Sequence, residues 1–191
     1  KAVSSYCPAT GPLHLIFIFL LLNQDGRASN VHEYKKKNVI IGGDSGTPPY
    51  EYIDKNGIPA GFSVDLTKAI AEEIGWNAEI KLGQFDKMLS ELESGKVDIL
   101  QRLVFTVERS GIYEYSLPYH EFRSSVFINT EDLDYFNSRH TEGFTPVTSK
   151  GSYVLEYMKK NFPGQEIKIT DRLIETFSYV SVKKSSFTIL D

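Results

Sequence analysis

Arg109 is the residue whose chemistry is best suited to holding a small molecule. It ends the segment Thr106-Val107-Glu108-Arg109, which follows the apolar run Val97-Asp98-Ile99-Leu100. A planar guanidinium donates two parallel hydrogen bonds to a carboxylate, so this residue type suits a ligand that carries a carboxylate. The alternative is an ordinary surface arginine that pairs with Glu108 or Glu114.

A second candidate is the segment Gly151-Ser152-Tyr153, which opens a predicted helix. A helix N-terminus presents unpaired N–H groups and the positive end of the helix dipole, and both favour an anion. The alternative is an ordinary helix cap.

Sequence motifs of common enzymes are absent: the chain has no P-loop, no Gly-x-Ser-x-Gly and no His-Glu-x-x-His. His32, His120 and His140 are scattered without the spacing of metal ligands. The single cysteine, Cys7, excludes an intrachain disulfide and a zinc site built from cysteines. We therefore expect no catalysis, no metal and no cofactor.

The composition is that of a folded protein that does not bind nucleic acid. Of the 191 residues, 41% are hydrophobic and 13% aromatic, which is enough for a buried core. The net charge of -4 lacks the basic excess of a nucleic-acid-binding protein.

An almost wholly apolar run, Leu13 to Leu22, follows Lys1 and precedes the polar Asn23-Gln24-Asp25-Gly26. A run of this length suits the core of a signal peptide better than a spanning helix, which needs about 20 apolar residues. We expect residues 1–30 to be a signal peptide or membrane anchor. A buried core helix is the alternative.

From Val39 onward, short strands alternate with helices. Val39–Gly42 and Val97–Leu100 are predicted buried strands, and Asn56-Gly57 is a strong hairpin signal. A helix is predicted to begin at an N-cap, Ser63, and to end at Gly75. We expect its apolar stripe to contain Leu66, Ala69, Ile70 and Ile74. The alternation predicts an α/β fold with a mostly parallel sheet.

Three further segments are predicted from local pattern: a helix at Phe85–Glu93, another at Leu173–Val180, and a strand at Ile167–Ile169.

In order and spacing, these segments resemble the first lobe of the extracellular solute-binding proteins that capture amino acids, family 3. The segments that carry the resemblance are Thr47-Pro48-Pro49-Tyr50, Gly61-Phe62, Ser94-Gly95-Lys96-Val97-Asp98 and Ser116-Leu117-Pro118-Tyr119. The family includes the sensor domains of membrane-bound histidine kinases, and Val97-Asp98-Ile99-Leu100-Gln101 favours that subgroup.

The resemblance implies a two-lobed periplasmic-binding-protein-like fold of type II. We expect lobe 1 at 31–128, nearly complete to the crossover, and a partial lobe 2 at 129–191. In the family the second lobe continues and the chain crosses back to lobe 1, whereas this sequence stops at Asp191. It therefore resembles a truncated or degenerate member.

The resemblance also implies a set of ligand-binding residues. Arg109 would bind the ligand carboxylate, with the N–H of Val104 and the loop Gly151-Ser152 adding donors. Asp191 matches an acidic residue that binds the ligand ammonium. The remaining positions of the implied site are Thr47, Tyr50, Gln101 and Arg102.

Two of these positions leave alternatives open. Tyr50 would be either a core residue or a platform for the ligand. Arg102 follows Gln101, where kinase-linked relatives usually carry a small residue; it would add a second anionic contact, fill the pocket or turn outward.

The function implied is extracytoplasmic binding of a small carboxylate-bearing solute, most simply an amino acid. The partner would be an ABC transporter permease or a membrane sensor kinase. The protein would be periplasmic or otherwise extracytoplasmic, either secreted or anchored by its N-terminal apolar segment. The alternative is an enzyme of the same fold, a cyclohexadienyl or arogenate dehydratase, with Glu51 or Glu121 as general acid.

Overall fold

The computed structural model describes residues 3–5, 13–17 and 37–190. The chain divides into two compact units. We call lobe 1 the unit that contains 14–17, 37–83 and 87–120, and lobe 2 the unit that contains 3–5, 13, 84–86 and 121–190. The division falls between His120 and Glu121, earlier than the end of lobe 1 predicted at 128.

The described strands and helices follow in chain order. The strands are β1 (Val3–Ser5), β2 (Leu13–Phe17), β3 (Asn38–Asp44), β4 (Gly46–Thr47), β5 (Glu51–Ile53), β6 (Pro59–Ala60), β7 (Asn77–Gly83), β8 (Ile99–Leu100), β9 (Leu117–Phe122), β10 (Ser125–Ile128), β11 (Thr145–Ser149), β12 (Lys168–Thr170) and β13 (Ser186–Leu190). The helices are α1 (Phe62–Glu73), α2 (Phe85–Glu93), α3 (Val107–Ser110), α4 (Leu133–Arg139), α5 (Tyr153–Asn161) and α6 (Leu173–Val182), with a 3-10 turn at Thr130–Asp132.

Lobe 1 contains a parallel sheet with β3 at its centre. The strand order is β7-β3-β8, and Ile41 lies opposite Ile80 on one side and Ile99 on the other. Val39 and Ile41 are almost fully buried, because a central parallel strand is covered on both faces. The prediction that Val39–Gly42 and Val97–Leu100 share one sheet is confirmed, although β8 is shorter than predicted.

The predicted hairpin at Asn56-Gly57 is also confirmed. β5 and β6 pair antiparallel, and β4 joins the other edge of β5. Asp54 Oδ1 accepts hydrogen bonds from the N–H groups of Asn56 and Ile58, each at 2.8 Å. Gly57 has φ 79°, a left-handed conformation in which a side chain is disfavoured.

Ser63 is not the N-cap of α1, so that prediction was wrong. The cap position is Gly61, which has φ 117° and makes no side-chain cap bond. Ser63 lies inside the first turn, fully buried, with its hydroxyl 3.2 Å from that of Tyr119. The predicted stripe was also misplaced, because Ala69 is exposed and the fully buried positions are Ser63, Val64, Thr67 and Ala71.

Lobe 2 is built on a mixed five-stranded sheet of order β1-β10-β13-β11-β12. β10 runs antiparallel to β1 and β13, whereas β11 runs parallel to β13 and β12. Phe187 and Met158 are fully buried in its apolar core. α4 supplies Phe136 to the same core, from a segment where the sequence pattern gave no strand or helix prediction.

The predicted signal peptide lies largely outside the described residues. Leu13–Phe17 forms β2, which pairs with β9, and 18–22 is not among the described positions. The assignment of 1–30 therefore stays a prediction. Within the described parts of the chain, every helix is too short or too polar to cross a membrane.

Candidate functional site

Arg109 lies in a short helix whose start is fixed by Thr106. Thr106 caps α3, and its hydroxyl oxygen accepts a hydrogen bond from the Arg109 N–H at 3.1 Å. This bond satisfies one of the N–H groups that a helix start leaves without a partner inside the helix. The cap therefore sets the backbone from which the Arg109 side chain extends.

Arg109 is only 5% exposed, so the interpretation as an ordinary surface arginine is wrong. Its positive charge acts on the neighbouring phenol of Tyr113, whose hydroxyl donates to Glu93 Oε1 at 2.5 Å. Burial, with the Glu93 carboxylate, nevertheless raises the pKa of Tyr113 to about 12. A buried guanidinium is costly to desolvate, and an oxyanion that it binds gains a charge-assisted bond in a poorly hydrated setting.

Val104 lies on the same turn, and its side chain is buried. The Tyr115 hydroxyl donates to the Val104 carbonyl at 3.3 Å, and the Tyr115 ring meets Phe105 edge to face. These contacts hold the backbone between Gln101 and Arg109 against the rest of lobe 1.

Gln101 lies at the centre of a buried chain of hydrogen bonds, which we call the Glu51 network. Gln101 Nε2 donates to Glu51 Oε2 at 2.7 Å, and the Thr67 hydroxyl donates to Gln101 Oε1 at 3.1 Å. The other Glu51 oxygen accepts from the N–H of Asp44 at 3.0 Å. All three side chains are at most 1% exposed. Gln101 therefore links β5, α1 and the turn after β8, and its role as a ligand-binding residue stays a prediction.

Glu51 has an unusual acidity. Burial raises the pKa of its carboxyl group to about 7, although the positive charge of Arg102 and the bonds from Asp44 and Gln101 oppose the shift. The carboxyl is therefore partly protonated near neutral pH.

Arg102 does not turn outward. Its guanidinium carbon lies 4.6 Å from the centre of the Tyr50 ring, a cation–π contact. His120 packs on the same tyrosine at 5.6 Å between ring centres, and Phe62 meets both His120 and Tyr119. We call the set Tyr50, Phe62, Tyr119 and His120 the aromatic cluster.

The two readings of Tyr50 are both incomplete. Tyr50 is half-buried and not a core residue, and its ring face carries Arg102. The neighbouring Thr47 is also half-buried, and its hydroxyl donates to the Glu51 carbonyl at 3.2 Å. The sequence did not predict the aromatic cluster, because Phe62 and His120 are distant along the chain.

In lobe 2, Ser152 caps α5 as the sequence predicts. Its hydroxyl accepts a hydrogen bond from the Val154 N–H at 3.1 Å, and Gly151 has φ 72°. The Ser152 N–H donates to the Ser149 carbonyl at 3.3 Å. This geometry is that of a helix cap, and an anion-binding role for Gly151 and Ser152 stays a prediction. Asp191 lies outside the described residues.

The described residues hold no group of three or more His, Cys, Asp or Glu side chains placed to bind a metal ion.

Residues 39–186 match the model of the bacterial extracellular solute-binding proteins, family 3, and the chain belongs to this family. It is 28% identical over 156 residues to the arginine-binding extracellular protein of Bacillus subtilis (strain 168), an alignment that covers 81% of this chain and 60% of the relative. A probable amino-acid-binding protein of the same organism is 27% identical over 69% of this chain and 50% of its own length. The chain thus spans between half and about three-fifths of these relatives.

Solved structures show the same fold. A histidine kinase sensor domain with similarity to periplasmic binding proteins matches with a TM-score of 0.71 and 27% identity, over 82% of this chain and 68% of that one. An ancestral amino-acid-binding protein, described as a precursor of cyclohexadienyl dehydratase, matches with a TM-score of 0.72 and 25% identity, over 81% of this chain and 70% of that one. The predicted fold class, α/β of the type II periplasmic-binding-protein kind, is confirmed.

Proposed function

We propose that the protein binds a small solute that carries a carboxylate, an amino acid in the simplest case, and that Arg109 is the main anchor. The observation that carries the proposal is a buried arginine, fixed by a capped turn, at the position that the family resemblance assigns to the ligand carboxylate. A guanidinium fork fits the two oxygens of a carboxylate. Amino-acid binding in the names of the relatives supports the same ligand class.

Val104 would add its backbone N–H to the carboxylate, because it lies on the turn that leads into α3. Thr47 and Tyr50 would border the ligand from the loop between β3 and β5. Gly151 and Ser152 would contribute the start of α5, and Asp191 would bind the ammonium group.

The biological setting follows from the family. We propose an extracytoplasmic location and a role either in ABC-type uptake or as the input domain of a sensor kinase. A similar protein of Haemophilus influenzae, a probable amino-acid ABC transporter-binding protein, and the kinase sensor domain each exemplify one of these settings. The gene separates them: a kinase core in the same reading frame favours the sensor role, and permease genes alongside favour transport.

The dehydratase alternative has weaker support. A general acid must come within hydrogen-bonding distance of its substrate, about 3 Å. Glu51 has a suitable pKa, but it is 1% exposed and both of its oxygens accept hydrogen bonds from lobe 1. Glu121 is exposed, and nothing else marks it as an acid catalyst.

The proposal is tested by calorimetric titration of the twenty common amino acids. Loss of a charge-assisted contact costs about 1.5–3 kcal/mol, so Arg109→Ala should weaken binding roughly ten- to a hundredfold. Arg109→Lys keeps the charge but loses the guanidinium fork, so its affinity should lie between those of the wild type and Arg109→Ala. The matched control is Arg123→Ala, because Arg123 is exposed.

The three variants are first compared with the wild type by thermal melting, since Arg109 is buried. Binding that survives Arg109→Ala unchanged would remove Arg109 from the site. Absence of heat from every amino acid with a folded wild type would overturn the proposed function.

A further inference from the structure

Arg102 adopts a backbone conformation that side chains disfavour. Its φ of 57° lies in the left-handed region, where residues other than glycine, asparagine and aspartate are uncommon. Such a conformation persists only where the surrounding contacts hold it, and it is enriched at ligand sites. The contacts of the Arg102 side chain are therefore the ones expected to hold this conformation.

Those contacts place a positive charge on an aromatic surface of lobe 1. The guanidinium lies over the Tyr50 ring at 4.6 Å, and its charge also lowers the pKa of Glu51 and Tyr119 against the opposing effect of burial. Arginine stacks on aromatic faces through both its plane and its charge. The ring face that would hold a cationic group of a ligand is thus already covered by a cation of the protein.

Arg102 precedes the proposed anchor, Arg109, on the same stretch of chain. It lies between Gln101 and Val104, in the turn that continues to Thr106 and the capped Arg109. A ligand that places its carboxylate on Arg109 and extends toward Tyr50 would bring its side chain to the Arg102 guanidinium.

We infer that Arg102 determines the ligand class: it excludes amino acids with cationic side chains and selects those whose side chain carries a carboxylate. This inference rests on the proposed function. The physical basis is that a cation repels a second cation on the same ring face and pairs with an anionic group.

The charges around Arg102 are consistent with this selection. The charge of Arg102 lowers the pKa of Glu51, which is buried and bonded to Asp44 and Gln101. Because burial raises the pKa of Glu51 to about 7, this carboxyl is only partly ionised near neutrality. The Tyr119 phenol has a pKa of about 12 and is neutral.

The test is calorimetric titration of L-glutamate, L-glutamine and L-arginine against the wild type, Arg102→Gly and Arg102→Lys. Glycine accepts a φ of 57° without strain, so Arg102→Gly keeps the backbone, and thermal melting verifies its fold. The wild type should bind glutamate at least tenfold more tightly than glutamine and should bind arginine weakest.

In Arg102→Gly the preference for glutamate over glutamine should fall at least tenfold, and the affinity for arginine should rise. Arg102→Lys should retain part of the preference for glutamate. A wild type that binds arginine as tightly as glutamate would overturn this inference and leave the proposed function standing, provided that Arg109→Ala weakens that binding at least tenfold. An unchanged order of affinities in folded Arg102→Gly would also overturn it. Absence of heat from all three ligands with the folded wild type would overturn this inference, whereas the proposed function is overturned only when the other common amino acids also give no heat.

Discussion

The protonation state of the Glu51 side chain determines the direction of the hydrogen bonds inside lobe 1. In its ionised form it accepts from the Asp44 N–H and from Gln101 Nε2. A proton on Oε2 turns that oxygen into a donor. The amide of Gln101 must then rotate to present its oxygen, and the Thr67 hydroxyl becomes the acceptor of the amide N–H. The network can thus be satisfied in both protonation states.

This environment predicts a pH-dependent stability. The pKa of Glu51 is about 7 in the folded protein and close to 4.5 otherwise, so the folded state holds the proton more tightly. The stabilisation is fully present below about pH 4.5 and is lost as the pH rises through 7. A shift of this size corresponds to at most about 3 kcal/mol.

Glu51→Gln replaces the carboxyl with a group that cannot ionise. We expect the free energy of unfolding of the wild type to fall relative to this variant as the pH rises from 5 to 8, measured by urea denaturation. Glu73→Gln, an exposed change on α1, serves as the control and should follow the wild type. A difference between wild type and Glu51→Gln that stays constant across this range would contradict the assigned pKa.

At the scale of single elements, β3 and β5 approach so closely that a glycine is required. A Cβ on Gly43 would lie 2.4 Å from Glu51 Oε2 and 2.8 Å from Gln101 Nε2. Both atoms belong to the buried Glu51 network, so they cannot move aside without losing their hydrogen bonds. The glycine therefore allows the network to pack against the central strand.

We predict that Gly43→Ala destabilises lobe 1 by about 1–3 kcal/mol, the usual cost of inserting a methyl group into a packed core. Gly46→Ala is the matched control: Gly46 is exposed, and the nearest heavy atom to its added Cβ would be 3.7 Å away. Its effect should stay within about 0.5 kcal/mol. Denaturant midpoints measure both changes, and equal losses for the two variants would refute the close-approach argument.

Elements governed by local pattern could be predicted from the sequence. The bounds of α2 agree with the predicted Phe85–Glu93, because an apolar face recurs there at helical spacing. The start of α6 at Leu173 is also confirmed, although the helix runs on to Val182. β12 is shifted by one residue from the predicted Ile167–Ile169, as is common for short strands.

Elements that depend on distant partners could not be predicted. Ser63 is a residue type that often caps helices, but here its hydroxyl hydrogen-bonds with that of Tyr119. A pairing between residues so far apart along the chain leaves no local signal. β9 contains Pro118 and shows no clean alternation of apolar and polar residues. β1 is positioned by its pairing with β10, which lies far along the chain.

The residues of the candidate site also separate into those with a local sequence signal and those that depend on distant partners. The cap at Ser152 follows from residue type and position, which act over a few residues, whereas the cap at Thr106 was not predicted. The sequence left three outcomes open for Arg102, since its placement on Tyr50 joins segments that are far apart. The structural role of Gln101 was missed because Glu51 and Thr67 carry no sequence signal of their mutual contact.

For the molecule as a whole, the central claim is that a member of the solute-binding family uses the turn between Gln101 and Arg109 to hold a carboxylate. The family assignment supports ligand binding as a class of function, whereas the place of binding rests on the buried arginine and its capped turn. A measurement that reports on individual residues therefore tests the claim most directly.

That measurement is a titration of the 15N-labelled protein with L-glutamate, followed through the backbone amide resonances. We predict saturable shifts that are largest at Val104 and Arg109 and that share one dissociation constant. In Arg109→Ala the shift at Val104 should need at least tenfold more L-glutamate to reach half of its maximum. Saturable shifts elsewhere in the chain that leave Val104 and Arg109 unmoved would contradict the account.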